Sequence, residues 1–253
     1  MSPSVPSPPV SPHPPLRGYY RDEGERRRFV DELFDATAGY YDALDRWLSL
    51  GSGQWYRREA LRRAGLGPGM RVLDVCTGTG LVARAAVSLV GKPGAVFGLD
   101  ASLGMLVAAR RSPLPAPLLR ALAEGLPLAD RSVDAVTMGY ALRHVADLRQ
   151  AFAELHRVLR PGGLLVLLEL TPPRSRLGTW LARLYLRELV PAVAAVATGE
   201  RRLRTLMGYF WDTIASCVPP AAILAALADC GFVAPGRRVV RAVCSEYTAR
   251  RPA

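Results

Sequence analysis

Between Met70 and Leu170 the chain alternates short apolar runs with helix-period runs, and this alternation constrains the fold more than any other feature. Met70–Val75, Ala95–Leu99, Leu118–Leu122, Val133–Gly139 and Leu164–Leu170 read as strands. Leu81–Val90 reads as a helix with apolar rows 81/85/89 and 82/86/90. Ser102 can cap a helix running to Arg111. Asp147 and Gln150 form a capping-box variant before a helix that buries Phe152, Leu155 and Leu159, and Pro161-Gly162-Gly163 breaks it. The Leu164–Leu170 run is apolar throughout, as a strand covered on both faces must be. The pattern predicts an α/β, Rossmann-like, doubly wound and mostly parallel sheet.

The flanking regions do not alternate. Three helical segments come first, carrying Phe29/Val30/Leu33/Phe34, Tyr40/Leu44/Trp47/Leu48 and Tyr56/Ala60/Ala64, and Gly65, Gly67, Pro68 and Gly69 stop the last. Residues 171–220 read as a helical insertion that would form a lid over a substrate. A helix over Ala221–Asp229 and strands at about 237–243 and 243–249 complete a seven-stranded sheet. Seven prolines fall within the first fifteen residues, so residues 1–18 are expected to be a disordered tail and 19–253 a single domain.

The tail lacks the apolar run of a signal peptide, and no stretch of roughly 18 apolar residues follows. Cys76, Cys217, Cys230 and Cys244 form no CxxC pair, and only three histidines are present, so neither a zinc site nor a disulfide framework is expected. These features point to a reducing cytoplasm. The net charge of +11 is carried almost wholly by arginine, with Lys92 the only lysine. An arginine-coded solvated surface and attraction to an anionic membrane both fit. Nucleic-acid binding does not, since the basic residues are scattered and no RNP, zinc-finger or KH pattern accompanies them. The oligomeric state is left open, with a homodimer among the options.

Chemistry concentrates at the strand ends. Val72-Leu73-Asp74-Val75-Cys76-Thr77-Gly78-Thr79-Gly80 joins strand one to helix one, where glycines let a ligand approach the backbone. Asp100 ends strand two, 22 residues after Gly78, where a carboxylate can accept from both hydroxyls of a ribose. Both features suit NAD as well as S-adenosylmethionine. Three others favour the latter: Asp74, placed to meet the ammonium of a methionine moiety; Ala123-Glu124 after strand three, where an adenine edge would lie; and Arg160-Pro161-Gly162-Gly163 before strand five. Ala101, Met105 and Tyr140 complete the cofactor-binding candidates, and Tyr41 would close over the methionine end. An NAD(P) oxidoreductase and a cofactor-binding scaffold without activity are the rival classes.

The chain resembles the methyltransferases of ubiquinone and menaquinone biosynthesis (UbiE-type) from about Phe34 to Phe232. Phe34-Asp35, Ala38, Tyr41-Asp42, Ser49 and Gly51 fit that family's opening helices; Leu73-Asp74, Gly78-Thr79-Gly80 and Asp100 fit its cofactor motifs. Ala123-Glu124, Leu126-Pro127, Asp130, Val133-Asp134, Ala141-Leu142-Arg143-His144-Val145 and Pro161-Gly162-Gly163 fit the rest. The family usually has asparagine where Asp45 and His144 stand, residues 171–220 match loosely, and Ser245-Glu246-Tyr247-Thr248 is not its usual ending. The resemblance implies a class I methyltransferase fold, S-adenosylmethionine as cofactor, and C-methylation of a quinol-type ring, prenylated or not. Methylation of a soluble specialised metabolite at carbon, oxygen or nitrogen is the alternative.

Arg143 and His144 follow strand four at the carboxyl edge of the sheet, where ligands bind in such folds. The resemblance implies that Arg143 sits at the acceptor, stabilising a quinol oxyanion or orienting a water. His144 is expected to titrate near neutral pH and serve as base or positioning residue. Trp180–Arg187, apolar with arginines four apart, reads as a lid helix or as a helix resting on a membrane.

Overall fold

The computed structural model describes residues 10–92, 95–111, 114, 116–200 and 202–253. Its seven strands are β1 (Val72–Val75), β2 (Val96–Asp100), β3 (Leu118–Arg120), β4 (Val133–Gly139), β5 (Leu159–Leu170), β6 (Val233–Val240) and β7 (Cys244–Arg250). They lie in the order β3-β2-β1-β4-β5-β7-β6. The first five pair in parallel, and β7 is antiparallel to both β5 and β6. The strand order reverses at β1, so the carboxyl ends of β1 and β4 open a crevice for a ligand.

The helices that cover the sheet are α2 (Gly53–Ala64), α3 (Leu81–Val90), α4 (Leu103–Arg111), α5 (Leu148–Val158) and α9 (Pro220–Asp229). One face packs Phe152 and Leu155 of α5 with Ile223 and Leu227 of α9 against Leu73, Val136 and Leu165. The other packs Ala60 and Leu61 of α2 with Val82 and Ala86 of α3 against Val72, Ala135 and Val166. Both faces are therefore dry, which is why Leu164–Leu168 is buried without alternation.

Above the carboxyl edge sits a third cluster, formed by α1 (Glu23–Leu48), α7 (Val190–Thr198) and α8 (Arg202–Ser216). In the segment expected to be helical, α6 (Arg176–Arg183) runs through a π-helical turn, Leu184–Leu189, into α7, and α8 follows.

The structure departs from expectation at four places. The first two helical segments are one helix, α1, capped by Asp22 accepting from the Glu25 amide. Gly39 does not break it, because the apolar positions on either side face one cluster. Asp147 caps α5 through the Arg149 amide, but Gln150 donates to the Glu124 carbonyl instead of closing a capping box. β5 begins at Leu159, so Pro161-Gly162-Gly163 lies inside the strand rather than before it, at a register shift against β4.

The fourth departure is the tail. Residues 1–9 lie outside the described residues, but Val10–Gly18 is not loose. The Val10 amide donates to Asp147 Oδ1 at 3.1 Å and the Leu148 amide to the Val10 carbonyl at 3.0 Å. The Val218 amide donates to the Pro12 carbonyl at 2.8 Å, and His13 is buried. Proline carbonyls still accept, so a proline-rich strap can be tied down by its neighbours' amides. Deleting residues 1–16 should lower stability by roughly 1–3 kcal/mol through these lost bonds, with deletion of 1–9 as the control. Thermal unfolding of the two truncations side by side decides.

Candidate active site

At the carboxyl edge a cavity of 510 Å³ opens between the sheet and α1. The turn after β1 forms its floor. Cys76 and Gly78 adopt left-handed backbone, at φ 53° and 56°, and both line the cavity. A Cβ built on Gly78 meets no atom within 4 Å, so the space beside that backbone belongs to the cavity. Asp100 faces it from the end of β2. Its Oδ2 accepts from the Gly78 amide at 2.7 Å and its Oδ1 from the Ser102 amide at 2.9 Å. Each oxygen keeps a lone pair that a ribose hydroxyl can use. Burial pushes the Asp100 carboxyl up to about 6.

Ala101, Met105, Ala123, Glu124, Tyr140, Tyr41 and His144, all singled out in the sequence, also line this cavity. Glu124 is held by the Ala146 amide at 2.6 Å. Tyr140 takes left-handed backbone, φ 61°, and its amide donates to the Leu168 carbonyl. Burial raises the Tyr41 hydroxyl to about 12.

Four expected residues stand elsewhere. Asp74, 1% exposed, is absent from the lining; its oxygens accept from Thr77 Oγ1 and Thr137 Oγ1, both at 2.6 Å. It braces the glycine turn from beneath. Thr79 is buried and bonded to Asp42 of α1, and Gly80, at φ 86°, starts α3 next to Leu114; neither lines the cavity. Arg143 is fully buried: its Nε donates to Glu169 Oε1 at 2.9 Å, Nη1 to Thr213 Oγ1 at 2.8 Å and to the Phe210 carbonyl, and Nη2 to the Tyr140 carbonyl. A guanidinium so committed stands behind the cavity wall rather than against a ligand.

His144 lies in the lining, its ring stacked on Tyr209 at 5.6 Å and edge-on to Phe34 at 5.1 Å. Both ring nitrogens are buried and find no hydrogen-bond partner among the described residues. Burial, then Arg143, Arg26 and His13, hold its pKa well below the ordinary histidine value of 6.5. The expected titration near neutrality is thereby corrected, and His144 stays uncharged at pH 7.

Sequence reasoning missed most of α1's contribution. Arg26, Val30, Asp31 and Phe34 line the cavity, while Asp35 accepts from Ser102 Oγ and the Gly104 amide and ties α1 to α4. Phe34-Asp35 and Tyr41-Asp42 were visible as family positions; their placement over the strand ends was not. Among the described residues, no group of three or more His, Cys, Asp or Glu could hold a metal ion.

The two buried carboxylates have a measurable consequence. Burial raises Asp74, like Asp100, to about 6. An unfolded aspartate titrates near ~3.9, so between these values the folded chain binds more protons than the unfolded one. Stability contributed by these two groups therefore falls as pH rises from ~4 to ~6. Asp74→Asn keeps an acceptor and removes the buried charge, and it should flatten that fall by up to roughly 3 kcal/mol. Denaturant melts of both proteins from pH 4 to 8 test it.

The ubiE/COQ5 methyltransferase family model matches residues 21–227. The demethylmenaquinone methyltransferase of Deinococcus radiodurans is 40% identical over 185 residues, covering 71% of this chain and 76% of that protein. The ubiquinone/menaquinone biosynthesis C-methyltransferase UbiE of Syntrophotalea carbinolica is 38% identical over 178 residues, covering 69% and 75%. Among solved structures, a SAM-dependent methyltransferase from Thermotoga maritima superposes with a TM-score of 0.62 at 18% identity, covering 88% of this chain and 99% of that one. That likeness speaks for the fold alone. By its sequence, its seven-stranded sheet and its family match, the chain belongs to the ubiE/COQ5 methyltransferase family and is an S-adenosylmethionine-dependent methyltransferase.

Proposed function

We propose that this chain transfers a methyl group to a ring carbon of a quinol-type aromatic acceptor, in reduced form and with a prenyl substituent. The observation that carries this reading is a second cavity, of 280 Å³, that shares Tyr41 and Tyr140 with the first and is otherwise largely apolar. Similarity to demethylmenaquinone methyltransferases and to the 2-phytyl-1,4-naphtoquinone methyltransferase of Synechocystis supports it.

The first cavity suits S-adenosylmethionine. Gly78 leaves room beside its backbone, Asp100 offers acceptors for a ribose, and Glu124 with Ala123 offers an edge for the adenine. The bound donor supplies a methyl activated on a sulfonium. The chain's own task is alignment and exclusion of water. Tyr41 and Tyr140 stand between the cavities and limit where the acceptor ring can lie. Arg143 acts as a positioning residue: through the Tyr140 carbonyl, Thr213 and Phe210 it holds the partition and α8 in place. His144, held uncharged and packed on Phe34 and Tyr209, shapes the wall of the first cavity. The quinol, richer in electrons than the quinone, should be the only oxidation state methylated. Paired assays with the same acceptor under reducing and oxidising conditions test this; methylation of the quinone would sink it.

A prenylated acceptor resides in a bilayer, so the reading includes contact with an anionic membrane from the cytoplasmic side. Leu177, Trp180, Leu181 and Leu184 are exposed, with Arg174, Arg176 and Arg183 exposed beside them. Apolar side chains flanked by arginines suit a helix lying at an anionic interface. Among the described residues no single helix is long and apolar enough to cross a membrane.

A further inference from the structure

The second cavity carries a polar group that neither the family motifs nor the first cavity uses. Arg57 of α2 is 3% exposed and lines it. Its two Nη atoms hold Asp45, one of them at 3.1 Å, and its guanidinium carbon lies 5.2 Å from the centre of the Tyr140 ring. Its Nε is buried and finds no partner among the described residues. An arginine donor left unmatched in a buried place is costly unless something else accepts from it. The rest of the chamber is mostly apolar, with Leu44 and Leu48 from α1 and Leu206, Met207 and Phe210 from α8, while Ser49 and Arg241 also reach it.

We propose that this chamber is the acceptor site and that Arg57 is the contact for an oxygen on the acceptor ring. The inference rests on the reading of a hydroxylated aromatic acceptor given above. The ring lies among the apolar side chains, next to the Tyr41–Tyr140 partition, and one ring oxygen accepts from the guanidinium. Asp45 has a side chain 20% exposed, so it can reach solvent and yield one Nη to the ligand. The pair thus sets specificity: a ring lacking an oxygen at that place leaves the arginine donor unmatched. Leu50, which lines the chamber, is 87% exposed, so the chamber reaches the surface there; Trp47 and Trp55, close to it in sequence, are exposed as well. A prenyl chain on the ring leaves the protein there.

The test measures binding apart from turnover. Calorimetry would follow 2-methyl-1,4-naphthoquinone titrated into protein saturated with S-adenosylhomocysteine, and a second titration would follow S-adenosylhomocysteine alone. Turnover would be assayed with a short-chain prenylated naphthoquinol. Met207→Trp fills the chamber, and Leu48→Trp fills it from the half-exposed opposite wall should the first variant not fold. Arg57→Met removes the polar contact and keeps an apolar stem. The filled variants should lose naphthoquinone binding while their S-adenosylhomocysteine affinity stays near wild type. Arg57→Met should weaken the naphthoquinone and lower kcat/KM about 10- to 100-fold, the range of one hydrogen bond to a charged group. Undiminished naphthoquinone binding in a folded Met207→Trp or Leu48→Trp protein overturns the proposal. If filling abolishes binding but wild type never methylates the naphthoquinol, the chamber stands and quinol methylation falls.

Discussion

Arg143→Ala should destabilise the fold by about 3–5 kcal/mol, the usual cost of removing one partner from a buried ion pair. Neither Arg143 nor Glu169 has any side-chain exposure, so the variant leaves a carboxylate with neither water nor a cation. Glu169 Oε2 already finds no partner among the described residues, which deepens the loss. The same change releases Thr213, the Phe210 carbonyl and the Tyr140 carbonyl, so α8 and the partition between the cavities shift together. Methyl transfer should therefore fall with stability, and cofactor affinity should fall with it because Tyr140 lines that cavity. Arg143→Lys retains the charge but loses the fork and should recover only part. The double variant Arg143→Met, Glu169→Gln removes both charges and should be more stable than Arg143→Ala. Urea melts of the four proteins measure this; an Arg143→Ala protein within about 1 kcal/mol of wild type would show that the pair is not the brace described.

Gly80→Val should remove cofactor binding altogether, by a route other than a direct clash with the cofactor. Gly80 has φ 86°, and a Cβ there would stand 2.6 Å from Leu114 Cδ2. A β-branched residue in left-handed backbone is a steric outlier, worth about 1–3 kcal/mol of strain. Overpacking against Leu114 adds a further ~1–3 kcal/mol. The cheapest relief is to move the turn, which carries Gly78 and its bond to Asp100 with it. Gly78→Ala is the informative contrast: nothing lies within 4 Å of its Cβ except the cavity. Its left-handed backbone, φ 56°, should cost roughly 1–2 kcal/mol on adding a Cβ, with cofactor affinity falling further. Calorimetry with S-adenosylhomocysteine alongside thermal melts separates the two. Wild-type affinity in Gly80→Val would show that Leu114 yields and the Gly78 turn stays in place.

How far each feature could be read from the chain depends on the range of the forces behind it. The strand–helix alternation, the apolar β5 and the Ser102 cap are local patterns, and all appear as expected. The glycine turn and Asp100 are separated in sequence but joined by a strand order that alternation itself implies, so their meeting at Gly78 was foreseeable. Long-range pairings were not. Nothing near Arg143 in sequence announces Glu169, which reaches it from β5, or Thr213, which reaches it from α8. The placement of Asp74 under the turn depends on Thr137 in a neighbouring strand. The proline-rich strap defeats compositional reasoning for a similar reason: its anchors are amides of Leu148 and Val218, far along the chain. Arg57 was passed over because an arginine in an amphipathic helix looks like a solvated one until its burial is known.

Catalysis of carbon methylation is decided by where the methyl goes. Wild-type protein would be incubated with a donor bearing a ¹³C methyl and with chemically reduced demethylmenaquinone, and the product examined by NMR. A methyl resonance bonded to ring carbon, absent when the quinone is left oxidised, is the expected result. A methyl on oxygen, or an inert quinol beside a readily methylated soluble phenol or amine, would overturn quinol C-methylation.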